Sequence, residues 1–460
     1  MAEPRKKQLF GTNGVRGVVG RDMTPDLVMR IGMALASMRK GTIAVGRDTR
    51  TSGPALCSAV KAGILACGCR VVDVGVLPTP ALQYLVRQHF DAGAMITASH
   101  NPPEYNGVKI IDTDGTEMGD EEIINLEQRL FAGSFDVQGW KSVGSEVSAP
   151  HLIEEYIDAI VRRFPPGVGD GMTVVVDPGS GPASHSTPAL LSKLGCRVHT
   201  VNATMDGTFP GRLPEPSPEG LAALAELVVK TGAAFGVAHD GDADRAVFID
   251  ETGSYVEENV EFALMQRYIC RDRQGYVVTP VSTSRRVEDV CAETGCRVAY
   301  TPVGSIYVAR TMLDMAASGS TVIFGGEGNG GLIFPDHQHC RDGGMTAAAM
   351  VGLLAEEGTG LSSLAGDLPA YCMIQEKIFA AEPAAVVDRV KAQFSGERLD
   401  TTDGIRINRD HAWALLRPSG TEPFMRLLVE GRDRQAAEAL YGEVKNVTGA
   451  ANREEQTPPP

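Results

Sequence analysis

No Cys-x-x-Cys pair occurs in this 460-residue chain, although it holds nine cysteines. An odd number of scattered thiols argues against a disulfide framework or a zinc knuckle and predicts free thiols in a reducing compartment. Cys67 and Cys69 are separated by a single residue, which is not a structural zinc spacing. His337-Gln338-His339-Cys340 offers ligand-type side chains but lacks a fourth, so zinc is not expected there. Long apolar runs are missing as well. No segment reaches the length of a membrane span, and the start, Met1 to Lys7, has no apolar leader region. These absences predict a soluble, cytoplasmic chain without a membrane partner. Basic residues are not in excess either: a formal net charge of −15 makes nucleic acid a poor partner. A small anion would have to be bound by a few local arginines against an unfavourable background field. Oligomeric state, monomer or dimer, is left open.

What is present is repetition. Gly68-Cys69-Arg70-Val71, Gly195-Cys196-Arg197-Val198 and Gly295-Cys296-Arg297-Val298 are three copies of one tetrapeptide, each after a helix-like apolar segment. Each of those segments follows a β-branched run: Thr42 to Val45, Thr173 to Val176, and Tyr276 to Thr279. Strand, helix, Gly turn, strand is a βαβ unit, in which Gly ends the helix and Arg-Val opens the next strand. The reading is three related α/β domains with mixed or parallel sheets, spanning 1–150, 151–255 and 256–368. From about Pro369 the pattern changes. A helix from Pro383, strands around Ile405 and Trp413, and a helix near Arg434 to Val447 predict a smaller α+β domain over 369–452. Residues 453–460, ending in three prolines, read as a disordered tail.

In each α/β repeat a further strand ends in an unusual polar loop. The first is Thr97-Ala98-Ser99-His100-Asn101-Pro102-Pro103, the second His239 to Arg245, the third Gly325 to Gly331. Ligands of open α/β sheets bind beyond the carboxyl ends of strands, so the three loops are candidates to face one central cleft. In the first loop, Ser99 stands on a turn stiffened by two prolines and is held out from the fold.

In the second loop, Asp240, Asp242 and Asp244 alternate, so in an extended or gently turning segment their carboxylates fall on one side and can converge on one hard cation. An EF-hand loop shares this acidic spacing, but Arg245 stands where Gly is needed, and a strand precedes the loop. Few protein ligands leave positions open for a phosphate oxygen, which favours Mg²⁺ over Ca²⁺. In the third loop, Gly326 to Gly331 matches G-x-G-x-x-G, yet the extended Leu332-Ile333-Phe334-Pro335 follows where a dinucleotide site needs a helix. Glu327 and Asn329 instead offer acceptors and a donor suited to sugar hydroxyls. In the last domain, Arg417-Pro418-Ser419-Gly420-Thr421-Glu422-Pro423 combines a bidentate cation, hydroxyls and exposed backbone N–H groups, a phosphate cradle without a P-loop lysine.

These four loops, in this order, resemble the signatures of the α-D-phosphohexomutase family, over nearly the whole chain. Phe10-Gly11-Thr12-Asn13-Gly14-Val15-Arg16-Gly17 resembles its phosphoglucosamine mutase branch. The Gly-Asn-Gly-Gly of the sugar loop resembles archaeal-type members, whereas bacterial ones usually carry Ser and His at positions 329 and 331. The resemblance implies four domains about a central cleft, a phosphorylated Ser99, and one Mg²⁺ per chain held by Ser99, Asp240, Asp242 and Asp244. It further implies hexose phosphate contacts from Arg245, Gly304, Glu327, Asn329, Arg417, Ser419, Gly420, Thr421 and Arg426. Arg16, His100 and Lys109 become candidates for proton transfer and charge stabilisation. The reaction so implied interconverts glucosamine 6-phosphate and glucosamine 1-phosphate through a 1,6-bisphosphate. Mannose or glucose phosphates are the alternative substrates. A Ser-dependent Mg²⁺ phosphatase or a non-catalytic sugar-phosphate binder would be alternative functions.

Overall fold

The computed structural model describes residues 7–380, 382–418 and 424–449. Ser419, Gly420 and Thr421 of the expected phosphate cradle, and the expected tail, lie outside the described residues. Four sheets of six, five, four and five strands follow one another along the chain.

The first three sheets share one four-stranded core. Its middle strand is the β-branched run: Thr42–Arg47, Thr173–Asp177 or Tyr276–Pro280. A helix follows (Gly53–Ala66, Thr187–Lys193 or Arg286–Thr294), and the Gly-Cys-Arg-Val tetrapeptide turns the chain into a parallel neighbour, Arg70–Val76, Arg197–Thr200 or Arg297–Thr301. Parallel pairing needs such a crossover, since no tight turn can join strands that run the same way. A second helical crossover carries the chain to the other side of the middle strand, to Ala92–Ile96, Phe235–His239 or Val322–Glu327. All three of these strands are buried along their whole length, as strands covered on both faces must be. The next strand, Tyr105–Ile111, Ala246–Asp250 or Gly331–Ile333, returns antiparallel. Each candidate loop is therefore the same connection in its own domain, or, for Glu327, the strand residue entering it.

One apolar cluster runs through all three domains, from Leu82 and Met95 through Ile157 and Phe235 to Phe262 and Phe324. This shared core holds the three loops in a common frame. The fourth domain is an antiparallel five-stranded sheet with the helices Pro383–Gln393 and Arg434–Thr448 packed against it. It docks on the third domain through buried polar contacts. Arg406, stacked 4.3 Å from the Trp413 ring centroid, donates to the Val281 carbonyl at 2.9 Å, and Glu430 accepts from the Arg285 amide at 2.8 Å. Among the described residues no helix is long and apolar enough to cross a membrane. All nine cysteines are free thiols, and all but Cys372 are buried.

The Ser99 loop is held from beneath by more than its prolines. Buried Arg50 donates from Nη1 to the carbonyls of Pro102 and Tyr105, at 2.6 and 2.9 Å. From Nη2 it donates to the carbonyls of Ser99 and Asn101, at 2.7 and 2.6 Å. Asp48 balances its charge, accepting from Arg50 Nε at 3.1 Å and from Thr97 Oγ1 at 2.7 Å. Replacing Arg50 by methionine strands a buried carboxylate, three loop carbonyls and that of Tyr105 at the start of the next strand. Arg50→Met is expected to lower stability by about 3–5 kcal/mol. A urea unfolding midpoint equal to wild type would show that the arginine is not what fixes the loop.

Candidate active site

Ser99 takes the left-handed region at φ 50°, an uncommon conformation for a residue with a side chain, and its side chain is buried. Its Oγ donates to Asp240 Oδ2 at 2.8 Å and lies 3.2 Å from His100 Nδ1. The serine and metal loops thus touch across two domains. Gly241 makes this possible, because a Cβ there would collide with the Ser99 carbonyl oxygen.

The three aspartates converge, on a turning rather than an extended segment. The segment turns, with Ala243 at φ 57°, and brings one oxygen of each carboxylate within 4.8 Å of the others. Cations and a hydroxyl grip one side of the set. Asp242 Oδ2 accepts from Thr79 Oγ1 at 2.6 Å and from Lys109 Nζ at 2.8 Å. Asp244 Oδ2 accepts from Lys109 Nζ at 3.1 Å and from Arg341 Nη2 at 2.6 Å. The Oδ1 atoms of Asp242 and Asp244 are buried and have no hydrogen-bond partner. Buried acceptors are rarely left so, and two of them beside a third carboxylate fit a hard divalent cation. The electrostatics agree. Burial and the Asp244 charge push the Asp240 carboxyl up to about 7. Against the effect of burial, Lys109 holds Asp242 well below the ordinary carboxylate range and Arg341 lowers Asp244. A cation among the three would favour the ionised form of all of them.

Lys109 is buried rather than a surface lysine. Burial opposes its charge, but Asp242 and Asp244 raise its pKa above the usual value, so it balances charge as an ammonium. Arg16 Nη1 donates to Asn101 Oδ1 at 3.0 Å and so braces the far end of the serine loop. The half-exposed His100 faces the cleft. Arg245 makes a two-pronged pair with Glu215, at 2.9 Å from each guanidinium nitrogen, and its Nε is 3.4 Å from Asp240 Oδ2.

The loops open into a cavity of about 760 Å³, lined by His100, Arg245, Gly304, Glu327, Asn329, Arg417 and Arg426 among others. Gly304 precedes the helix Ser305–Ala317 on one wall. On the fourth domain, Arg417 and Arg426 are directly opposed partners on neighbouring antiparallel strands, so they share a face. Like charges so placed destabilise a sheet, and an anion between them relieves this. Arg417 Nε also lies 3.1 Å from Asp403, whose carboxylate accepts from the Val303 amide at 3.0 Å and so ties the third domain to the fourth at the cleft mouth.

Several groups escaped sequence reading: Arg50, Thr79, Glu215 and Arg341. Arg341 had the nearest thing to a signal, since Arg341-Asp342-Gly343-Gly344 enters a helix that Asp342 caps. His337 and Cys340 belong to the packing between domains. His337 stacks on Tyr84 with centroids 5.4 Å apart, and among the described residues the aspartate triad alone forms a metal-type cluster.

Sequence profiles of the phosphoglucomutase/phosphomannomutase family match the chain domain by domain. Its alpha/beta/alpha domains I, II and III match residues 7–137, 154–253 and 257–371, and its C-terminal domain matches 373–447. A phosphoglucomutase/phosphomannomutase of Thermococcus kodakarensis is 42% identical, over 94% of this chain and 96% of its own. A "probable phosphoglucosamine mutase" of Methanopyrus kandleri is 40% identical, over 95% of this chain and 97% of its own. A solved phosphoglucomutase/phosphomannomutase family protein of Burkholderia thailandensis superposes with a TM-score of 0.85 at 26% identity, covering 97% of this chain and 99% of its own. With four domains matched in order and a serine loop lying against an aspartate triad, the chain belongs to the phosphoglucomutase/phosphomannomutase family, the α-D-phosphohexomutases.

Proposed function

We propose that this chain is a phosphoglucosamine mutase, interconverting glucosamine 6-phosphate and glucosamine 1-phosphate, with Ser99 as phosphoryl carrier. The reaction type rests on one observation above all: Ser99 Oγ donates to Asp240 Oδ2 at 2.8 Å, beside buried carboxylate oxygens that lack partners. The choice of amino sugar rests on relatives such as the Methanopyrus kandleri protein, and phosphomannomutase/phosphoglucomutase is the second reading, favoured by the Thermococcus kodakarensis one.

Ser99, Asp240, Asp242 and Asp244 would hold one Mg²⁺. When bound, the ion would neutralise phosphoryl oxygens and so favour transfer to a hydroxyl. In the forward half-reaction the P–O bond to Ser99 breaks as a P–O bond to the sugar O1 or O6 forms. The sugar hydroxyl releases its proton to a base, a role we give to His100, whose Nδ1 lies 3.2 Å from Ser99 Oγ, and the Ser99 oxygen takes up a proton as its P–O bond breaks. In the return half-reaction Ser99 Oγ gives up that proton as it forms its new P–O bond, and the departing sugar oxygen takes one up. Lys109 balances the charge of the triad throughout. The resulting hexose 1,6-bisphosphate turns over in the cleft and returns its other phosphate to Ser99. Arg417 and Arg426, with the Ser419-Gly420-Thr421 segment, receive whichever phosphate is not reacting, while Arg245 and Gly304 line the walls. Glu327 and Asn329 clamp the 3- and 4-hydroxyls in both orientations. A Ser-dependent phosphatase would share the serine and the triad but has no use for a second phosphate site, and the opposed arginines count against it. The nine free thiols fit a reducing cytoplasm.

Three outcomes test this reading. Active enzyme should carry a stoichiometric phosphate on Ser99 by peptide mass mapping, and Ser99→Ala should lose on the order of 10⁴-fold or more in kcat. Phosphate on another residue of fully active protein would overturn the assignment. Asp242→Ala should weaken Mg²⁺ binding by at least about 100-fold, beyond the usual cost of an outer-shell change, and stay slow at saturating metal. Wild-type rate in excess chelator would refute it. Finally, product analysis with glucosamine, glucose and mannose 6-phosphates should give the 1-phosphate in each case, glucosamine fastest and the others within about 100-fold. A 4-deoxy analogue should fall further, towards about 10⁴-fold, because it leaves the clamp's polar groups unpaired. Release of free phosphate alone would point to the hydrolase.

A further inference from the structure

Arg341 reaches two loops at once. Its Nη2 lies 2.6 Å from Asp244 Oδ2 in the second domain, and its Nη1 lies 3.1 Å from Glu327 Oε2 in the third. The side chain is 7% exposed and lines the cleft, so neither contact is diluted by bulk water. Room for it comes from a missing side chain. A Cβ on Gly331 would collide with Arg341 Cδ and lie 3.2 Å from its Cγ, with Asn329 Oδ1 at 3.0 Å the other near atom. Gly331 is the cross-strand partner of Glu327 and is not among the residues of positive φ. Its backbone conformation would therefore accept alanine. What requires glycine there is the passage of the arginine.

We infer that Arg341 is a positioning residue that couples the metal loop to the sugar loop, and that position 331 is glycine to let it through. The inference rests on the proposed function in assigning Asp244 to the cation and Glu327 to the sugar. By occupying Asp244 Oδ2, the guanidinium leaves the unpartnered Oδ1 for a cation. By occupying Glu327 Oε2, it leaves the other carboxylate oxygen for a hydroxyl. One delocalised charge shared by two acids also makes their occupancies interdependent. A cation that draws on Asp244 loosens that carboxylate's hold on Arg341 and strengthens the hold of Glu327. A hydroxyl donating to Glu327 acts in the reverse sense. By linkage the two ligands must then alter each other's affinity by one common factor.

Calorimetric titration of Mg²⁺ into the full chain, with and without saturating 1-deoxyglucose 6-phosphate, reads this factor. That sugar has no hydroxyl at C1 to accept a phosphoryl group, so no turnover intervenes. Wild type should show at least about a fivefold difference in Mg²⁺ affinity between the two conditions. Arg341→Gln should bring the ratio close to one. Gly331→Ala, which keeps the arginine but displaces it, should do the same, and the double variant should be no worse than either single one. Arg341→Lys should keep part of the coupling. In turnover, both single variants should lose more kcat/KM on the parent sugar than on its 4-deoxy analogue, shrinking that discrimination about tenfold or more. A general packing defect would slow both sugars alike. The inference is overturned by a wild-type ratio of one, by ratios unchanged in both single variants, or by additive losses in the double variant. An enzyme that fails to isomerise any hexose phosphate would refute the proposed function, while the calorimetric ratio would still decide the role of Arg341.

Discussion

Three buried carboxylates on a five-residue stretch are an electrostatic load that the second domain cannot carry alone. Asp240, Asp242 and Asp244 are all almost wholly buried, and an uncompensated buried charge costs several kcal/mol. Arg245, from the same loop, supplies part of the compensation. The rest comes from outside: Lys109 and Thr79 from the first domain, Arg341 from the third. The triad is therefore tolerable only when three domains are docked, and the apolar cluster they share supplies that docking.

The compensation is also selective. Lys109, Thr79 and Arg341 all fall on Oδ2 atoms and leave both Oδ1 atoms of Asp242 and Asp244 unpartnered. Had the cations saturated every oxygen, the triad would be a structural ion-pair network with no place for a metal. Strain is concentrated at the same spot. Ser99 and Ala243 both occupy the left-handed region, at a cost of about 1–3 kcal/mol each. Arg50 beneath the serine loop and the close fit at Gly241 hold the first of these conformations in place.

How much of this was legible in the chain depended on the range of the interaction. The three tetrapeptides sit at equivalent steps of three βαβ units, and local pattern sufficed to read the repeat and to put each polar loop beyond a strand. Ser99, the aspartates and Glu327 stood out because such residues cluster within a few positions. Arg50 acts 49 positions from Ser99, Arg341 acts 97 from Asp244, and Thr79 acts 163 from Asp242. Apart from the helix-entry run at Arg341, nothing in their own neighbourhoods marks those roles. The pairing of Arg417 with Arg426 needed the strand register, which the sequence of one strand cannot supply. The spacing of the triad allowed either an extended or a turning segment, and the choice between them, the turn at Ala243, needed the structure.

Anion binding by a chain of net charge −15 follows from the same arrangement. At physiological salt the Debye length is about 8 Å, so surface carboxylates farther away than that act weakly on the cleft. Within it, Lys7, Arg245, Arg341, Arg417 and Arg426 line the walls against Asp120 and Glu327. Four of these cations are already oriented by acids: Lys7 by Asp120, Arg245 by Glu215, Arg341 by Asp244 and Glu327, Arg417 by Asp403. Long basic side chains lose much rotamer freedom when they close on a ligand, and fixing them beforehand removes part of that cost from binding. The acids around the cleft therefore do not simply oppose an incoming phosphate. They hold the cations in place, and they confine the positive charge to a few positions on the cleft wall.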